Sequence, residues 1–205
     1  MGFFGAVFGA IGSALGAIGG ALSSALGVLG GPILGVFGGI ISSVISALTG
    51  DKDDPEELGE KVLQAEEAGL GKADDESFLD AKKRFDEFEI DPDKKHDHDD
   101  VIRAGLGYQI QCAKEKNVDI IDFTLGVAKL GACGLLDEKS SGIIKQLGKI
   151  ASPEELNDIG KMFAGSLESH DAIDRCLDKL AEAVKAENPA MTDNDAYAEA
   201  LKYRL

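Results

Sequence analysis

Apolar side chains recur along the chain at a helical period, and no stretch alternates apolar with polar as a strand would. Phe3, Val7, Ile11 and Leu15 fall on one line of a helix, and Ile18, Leu22 and Leu26 on another. Leu29, Ile33, Phe37, Ile41 and Ile45 form a further ridge, with small residues filling the gaps between ridges. This places the large side chains outward and the small ones against a neighbour. Farther on, Ile102, Leu106, Ile110 and Ala113 share a face, followed by Ile120, Ile121, Leu125 and Leu130 after the cap-like Asp119. Ile173, Leu177, Leu180 and Val184 line another helix, and six helices are expected from Val101 onward.

Local start signals agree with that reading. Asp54-Pro55-Glu56-Glu57 joins a capping carboxylate, a proline in the first turn and acids over the positive helix end, which predicts a helix from Pro55 to about Ala68. A second short amphipathic helix is expected from Asp75 to Phe88, stopped by Asp91-Pro92-Asp93. Ser152-Pro153-Glu154-Glu155 has the spacing of a capping box, and Thr192 to Asp195 opens a last helix carrying Ala196, Tyr197, Leu201 and Tyr203. The fold class is therefore all-α: a glycine-rich apolar membrane-inserting helix or helical hairpin, followed by an acidic helical-bundle domain.

Charge divides the chain sharply. Residues 1–50 contain no Asp, Glu, Lys, Arg or His and include fourteen glycines, whereas all 37 acidic and 21 basic residues follow. An uncharged run more than twice the roughly 20 residues that cross a bilayer calls for lipid or a sequestering partner. Residues 51–100 hold 20 acidic and 8 basic residues, a net of −12 against −16 for the whole chain. No basic stripe is present to neutralise phosphates, so no nucleic-acid partner is expected. Three parts are predicted: an apolar membrane-inserting segment, 1–50; an acidic helical linker, 51–100; and a soluble all-α domain, 101–205. With no Lys or Arg ahead of the apolar run, and a run too long for a signal-peptide core, the expectation is cytoplasmic synthesis without a cleaved leader, then secretion or delivery.

The glycines of the apolar segment are spaced in fours: Gly5 and Gly9; Gly12, Gly16 and Gly20; and Gly27, Gly31, Gly35 and Gly39. In water each costs roughly 1 kcal/mol against alanine in a helix interior. In lipid such a bare stripe lets backbones approach closely and drives helix association. Gly30, Gly31 and Pro32 mark a hinge, since proline suits the first turn of a new helix. Helices on either side would extend about 42 Å and 25 Å. A hairpin and a single kinked helix both fit this pattern, the latter keeping one groove through Gly39.

Candidate chemistry is sparse. His96-Asp97-His98-Asp99-Asp100 gathers metal-ligand types, but neighbours in one loop seldom converge, and neither a HExxH motif nor a calcium loop accompanies them. That stretch reads as a loop whose Asp99 caps the next helix, and no metal or cofactor is assigned. Ser166, Ser169, His170, Asp171 and Asp174 lie on one local segment without a nucleophile elbow, P-loop or dinucleotide fingerprint, so no enzyme is expected. Cys112, Cys133 and Cys176 are widely spaced and odd in number, which suits reduced thiols.

The repeated steps Gly5-Gly9, Gly12-Gly16-Gly20 and Gly27-Gly31-Gly35-Gly39, with the chain's size, resemble the glycine-zipper pore-forming effectors of bacterial type VI secretion systems. The resemblance covers about a quarter of the chain. It implies a shielding chaperone or secretion tube protein, delivery to a rival cell, and dissipation of ion gradients there. It also implies homo-oligomers in the bilayer and an immunity protein in the producer. Ser13, Ser23, Ser24, Ser42, Ser43 and Ser46 are candidates to line the lumen. Two other readings share the apolar segment: an internal virion protein that a tailed phage ejects to build an envelope conduit, and a structural protein whose apolar helix is buried in an assembly.

Overall fold

Every regular element among the residues described, 20–205, is a helix in the computed structural model, so the fold is all-α. These residues form two compact units, one ending at Val118 and the other running Asp119–Leu205.

The first unit contains α1 (Gly20–Val28), α2 (Pro32–Thr49), α3 (Pro55–Glu67), α4 (Phe78–Asp86) and α5 (His98–Glu115). Helix α5 is its centre, packed by α2, α3 and α4. From Val101 to Ala113 it is buried nearly all round, Arg103 excepted. That burial explains a run of thirteen residues with one charge among them. Between α3, α4 and α5 lies a core of Leu58, Val62, Leu63, Ala81, Phe85 and Tyr108. The Tyr108 ring meets Phe78 and Phe85 edge-on at centroid distances of 5.2 and 5.3 Å.

Helices α3 and α5 touch through glycine. A Cβ on Gly105 would overlap the Pro55 carbonyl and crowd the Gly59 amide, and one on Gly59 would overlap the Val101 carbonyl. The cap at Asp54 forms as expected, its carboxylate accepting from the Glu56 and Glu57 amides at 2.8 and 3.1 Å. Helix α4 starts later than predicted because Ser77 provides the cap, accepting from the Asp80 amide. The cap of α5 is Asp97 rather than Asp99, since Asp97 takes the Asp99 amide at 3.0 Å.

The three-part division does not coincide with these units. Helices α3 and α4 of the acidic stretch pack on α5, and so does α2 of the apolar stretch, so one unit spans the boundaries drawn at 50 and 100. The physical reason is that a change in charge density is not a change in packing. Amphipathic acidic helices keep their carboxylates in water and still offer an apolar face.

The second unit contains α6 (Ile121–Ala132), α7 (Glu138–Ile150), α8 (Pro153–Phe163), α9 (His170–Glu187), α10 (Asp193–Ala200) and a terminal 3₁₀ turn, Leu201–Tyr203. With α5, this makes the six helices expected beyond residue 100. Its core includes Phe123, Ile144, Leu147, Phe163 and Leu180. Glycine again permits the closest contact, where Gly126 of α6 meets Gly160 of α8 backbone to backbone. The Ser152 capping box is complete: Glu155 N–H donates to Ser152 Oγ at 3.2 Å, and Ser152 N–H donates to Glu155 Oε2 at 2.8 Å. Asp119 accepts from the Ile121 amide at 3.0 Å, and Tyr203 packs on Phe163 from the 3₁₀ turn.

Candidate functional site

Helix α2 is the singular element of the first unit. Its eighteen uncharged residues make it long and apolar enough to cross a membrane, about 27 Å end to end. The chain's ridge and groove are turned the opposite way from the sequence expectation. Leu34, Phe37, Ile40, Ile41 and Val44 are fully buried and Ile45 nearly so, while Ile33 is 43% exposed and Val36 40% exposed. In an aqueous fold the large side chains take the inner face, because each is worth about 1.5–3 kcal/mol when buried.

The bare edge therefore looks outward. Among the described residues, nothing lies within 4 Å of where a Cβ would stand on Gly27, Gly31, Gly35 or Gly39. Within α2 the glycine that meets a neighbour is Gly38, whose Cβ would sit 3.0 Å from Ile102 Cγ2 and 3.5 Å from Leu106 Cδ1 on α5. Gly20 opens α1, and Gly5, Gly9, Gly12 and Gly16 lie outside the described residues. Of the candidate lumen serines, Ser13 lies outside them too. Ser24 is exposed, Ser43 and Ser46 are half-buried, and Ser42 is buried with its hydroxyl donating to the Asp53 carbonyl at 3.0 Å.

At Gly30, Gly31 and Pro32 the helical ladder is interrupted, stopping at Val28 and resuming at Pro32. Gly31 has φ +56° and ψ −138°, a conformation open to glycine alone. In this structure α1 and α2 are separate helices. Two groups on α5 grip it. The Asp99 carboxylate accepts the Gly31 amide at 3.0 and 3.1 Å. Arg103 donates to the Leu29 carbonyl at 3.0 Å and to the Leu26 carbonyl at 3.3 Å.

The far end of α2 is held from the same helix. Gln109 Nε2 donates to the Asp53 carbonyl at 2.9 Å, sharing it with Ser42. Lys116, just past α5, pairs with Asp51 at 2.6 Å, and Lys82 of α4 pairs with Asp53 at 2.9 Å. The Asp51 carboxyl is held below its usual range: burial opposes this, and the Lys116 hydrogen bond and charge outweigh burial. Sequence reading missed all of these holders. The available signal was Arg103 itself, the sole charge between Asp100 and Lys114.

His96 is held between two carboxylates of α3. Its ring is 3% exposed, Nδ1 lying 2.8 Å from Glu60 and Nε2 3.1 Å from Glu67, so the two carboxylates meet different nitrogens. Among the described residues no three such side chains are grouped to hold an ion. Gln64 ties the same loop to α3 through the Asp91 and Lys94 carbonyls. Burial opposes a charged His96 ring, but hydrogen bonds and charge from Glu60 and Glu67 prevail and raise its pKa above the usual 6.5. A raised native pKa means that the contribution is complete below about pH 6.5 and is lost as pH climbs through the higher native value. The excess thermal stability of wild type over His96→Gln is thus expected to shrink as the solution becomes alkaline. An excess that grows on the alkaline side instead would refute the assignment.

The residues considered for catalysis serve as caps and turns. Ser169 caps α9, His170 is exposed at its first turn, and Ser166 Oγ donates to the Lys161 carbonyl. Burial pushes the Cys112 thiol up to about 12 and Cys176 to about 11, so neither is a thiolate at neutral pH. A groove of about 570 Å³ in the second unit has an apolar floor of Ile143, Val184 and Met191 and a charged rim.

The fold and this site define a class: among the described residues, an all-α protein with one apolar helix long enough to cross a membrane, docked on the central helix of its own unit. No protein-family model, curated protein or solved structure matches the chain.

Proposed function

We propose that this chain is a membrane-inserting, pore-forming antibacterial effector that associates with copies of itself and dissipates ion gradients in a target cell. The observation that carries the reading is the outward bare edge of α2: an uncharged helix long enough to span, with Gly39, Ile33 and Val36 exposed and Gly35 half-buried. In the docked state the ridge from Leu34 to Ile45 is shielded by α5. Exchanging α5 for acyl chains costs that ridge little, because lipid is as apolar as a protein core.

One or two helices cannot enclose water, so several copies must pack through their glycine edges. Ser24, Ser43 and Ser46 would then give the lumen weak polarity without strong charge selectivity. The acidic helices repel anionic headgroups and stay in water. A secretion tube or chaperone is the proposed shield for the exposed apolar edge, and an immunity protein the proposed safeguard in the producer.

Burial of Phe37, Ile40, Ile41 and Val44 favours a second reading, a structural protein in which α2 remains a core helix and its outer edge is covered in an assembly. Dye-loaded phospholipid vesicles separate the two. The full chain is expected to release dye, and its expression to collapse the signal of a membrane-potential probe in cells. A chain that leaves both unchanged belongs to the assembly reading.

A further inference from the structure

We infer that Asp99 and Arg103 of α5 form an autoinhibitory latch, gripping the break between α1 and α2 and setting how readily α2 leaves its docked position. Its consequence for membranes rests on the function proposed above; its consequence for undocking does not.

The grip is complementary to what a helix break exposes. The last carbonyls of α1 and the first amides of α2 have no partner within their own helices and carry opposite partial charge. Arg103 meets the carbonyls of Leu26 and Leu29, and Asp99 meets the amide of Gly31, so each charged group faces the helix end of opposite sign. The pair is braced within α5, where Arg103 lies 3.6 Å from Asp99 and 3.2 Å from Asp100. Both side chains are mostly covered, at 18% and 25% exposure. The residues gripped lie 68 to 77 positions earlier in the chain, so these contacts exist only when α2 and α5 are together.

These polar contacts matter more for release than the larger apolar interface does. When α2 leaves α5 for a bilayer, Phe37 and its neighbours exchange one apolar surround for another. The Gly31 amide and the Leu29 carbonyl exchange a charged partner for none, and hydrocarbon offers no substitute. Release therefore depends on breaking the hold of Asp99 and Arg103, while Asp53 and its partners Ser42 and Gln109 tether the other end.

The test uses the full chain carrying Arg103→Met, which keeps the aliphatic stem, or Asp99→Ala, with Asp99→Asn as the conservative variant that retains an acceptor oxygen. Hydrogen exchange in water reads undocking directly. Amides from Leu34 to Ile45 are expected to exchange about tenfold faster or more in the first two variants, the loss of one charge-assisted hydrogen bond, with Asp99→Asn closer to wild type. Amides from Leu58 to Ala65 on α3 are expected to keep their protection, which distinguishes a released α2 from an unfolded unit. Dye release from vesicles of zwitterionic and anionic phospholipid is expected to start sooner by a similar factor. Unchanged exchange in α2, or equal acceleration in α2 and α3, overturns the latch. Faster exchange in α2 with no dye release from any chain upholds the control of undocking and overturns the membrane function.

Discussion

Gly105→Val is expected to unfold the first unit, or to cost it about 3 kcal/mol or more, because the added carbons have nowhere to go. The atoms in the way are the Pro55 carbonyl and the Gly59 amide, both backbone, and backbone cannot rotate aside as a long side chain can. Helices α3 and α5 would have to part, opening the contacts of Leu58, Val62 and Tyr108 that their closeness makes possible. Gly39→Ala is the matched comparison, since it adds a Cβ into open space on a helix and is expected to gain up to about 1 kcal/mol. Urea denaturation followed by helical circular dichroism, with exchange at α3 and α5 amides to locate the loss, measures both. A Gly105→Val midpoint equal to wild type would show that the two helices are not held this close.

The chain carrying Gly35→Leu and Gly39→Leu together is expected to lose dye release while keeping its fold. In water the Cβ of neither leucine has a described neighbour within 4 Å, and both residues favour a helix over glycine, so the denaturation midpoint should hold or rise by about 1–2 kcal/mol in total. In a bilayer the same side chains fill the bare edge and prevent close approach between copies. This separation of stability from activity distinguishes an edge reserved for self-association from one that merely tolerates glycine. Undiminished release by the double variant would remove the glycine edge from the mechanism. Gly31, which also belongs to the repeat, is unsuited to this experiment because its positive φ makes any side chain there disruptive.

What was legible in the sequence was local. Asp54 before Pro55, Ser152 before Pro153 and Thr192 before Asp195 announce helix starts through contacts made within four residues, and each formed as expected. The break at Gly30 to Pro32 was legible for the same reason. What escaped was the choice of partner. A ridge such as Leu34, Phe37, Ile41 and Val44 satisfies lipid and protein equally well, and periodicity alone does not state which it meets. The solvent-facing edge of α2 follows from that choice, so it escaped with it. Gly105 and its counterpart Gly59 lie on different helices, and nothing local links the two. Arg103 was visible as an isolated charge, while the carbonyls it serves are some 75 positions away.

The order of the helices along the chain also has a temporal side. Helix α2 leaves the ribosome before the residues that will hold it: synthesis must proceed from Thr49 to Glu115, about 66 residues, before α5 is complete. At about 5–20 residues per second that is roughly 3–13 s of translation. Throughout this interval Phe37, Ile40, Ile41 and Val44 lack the surface that later covers them, and the nascent chain presents a bilayer-length apolar helix to whatever is nearby. On the function proposed above, a producing cell would have to guard its own membrane during every round of synthesis, before the finished fold can do so.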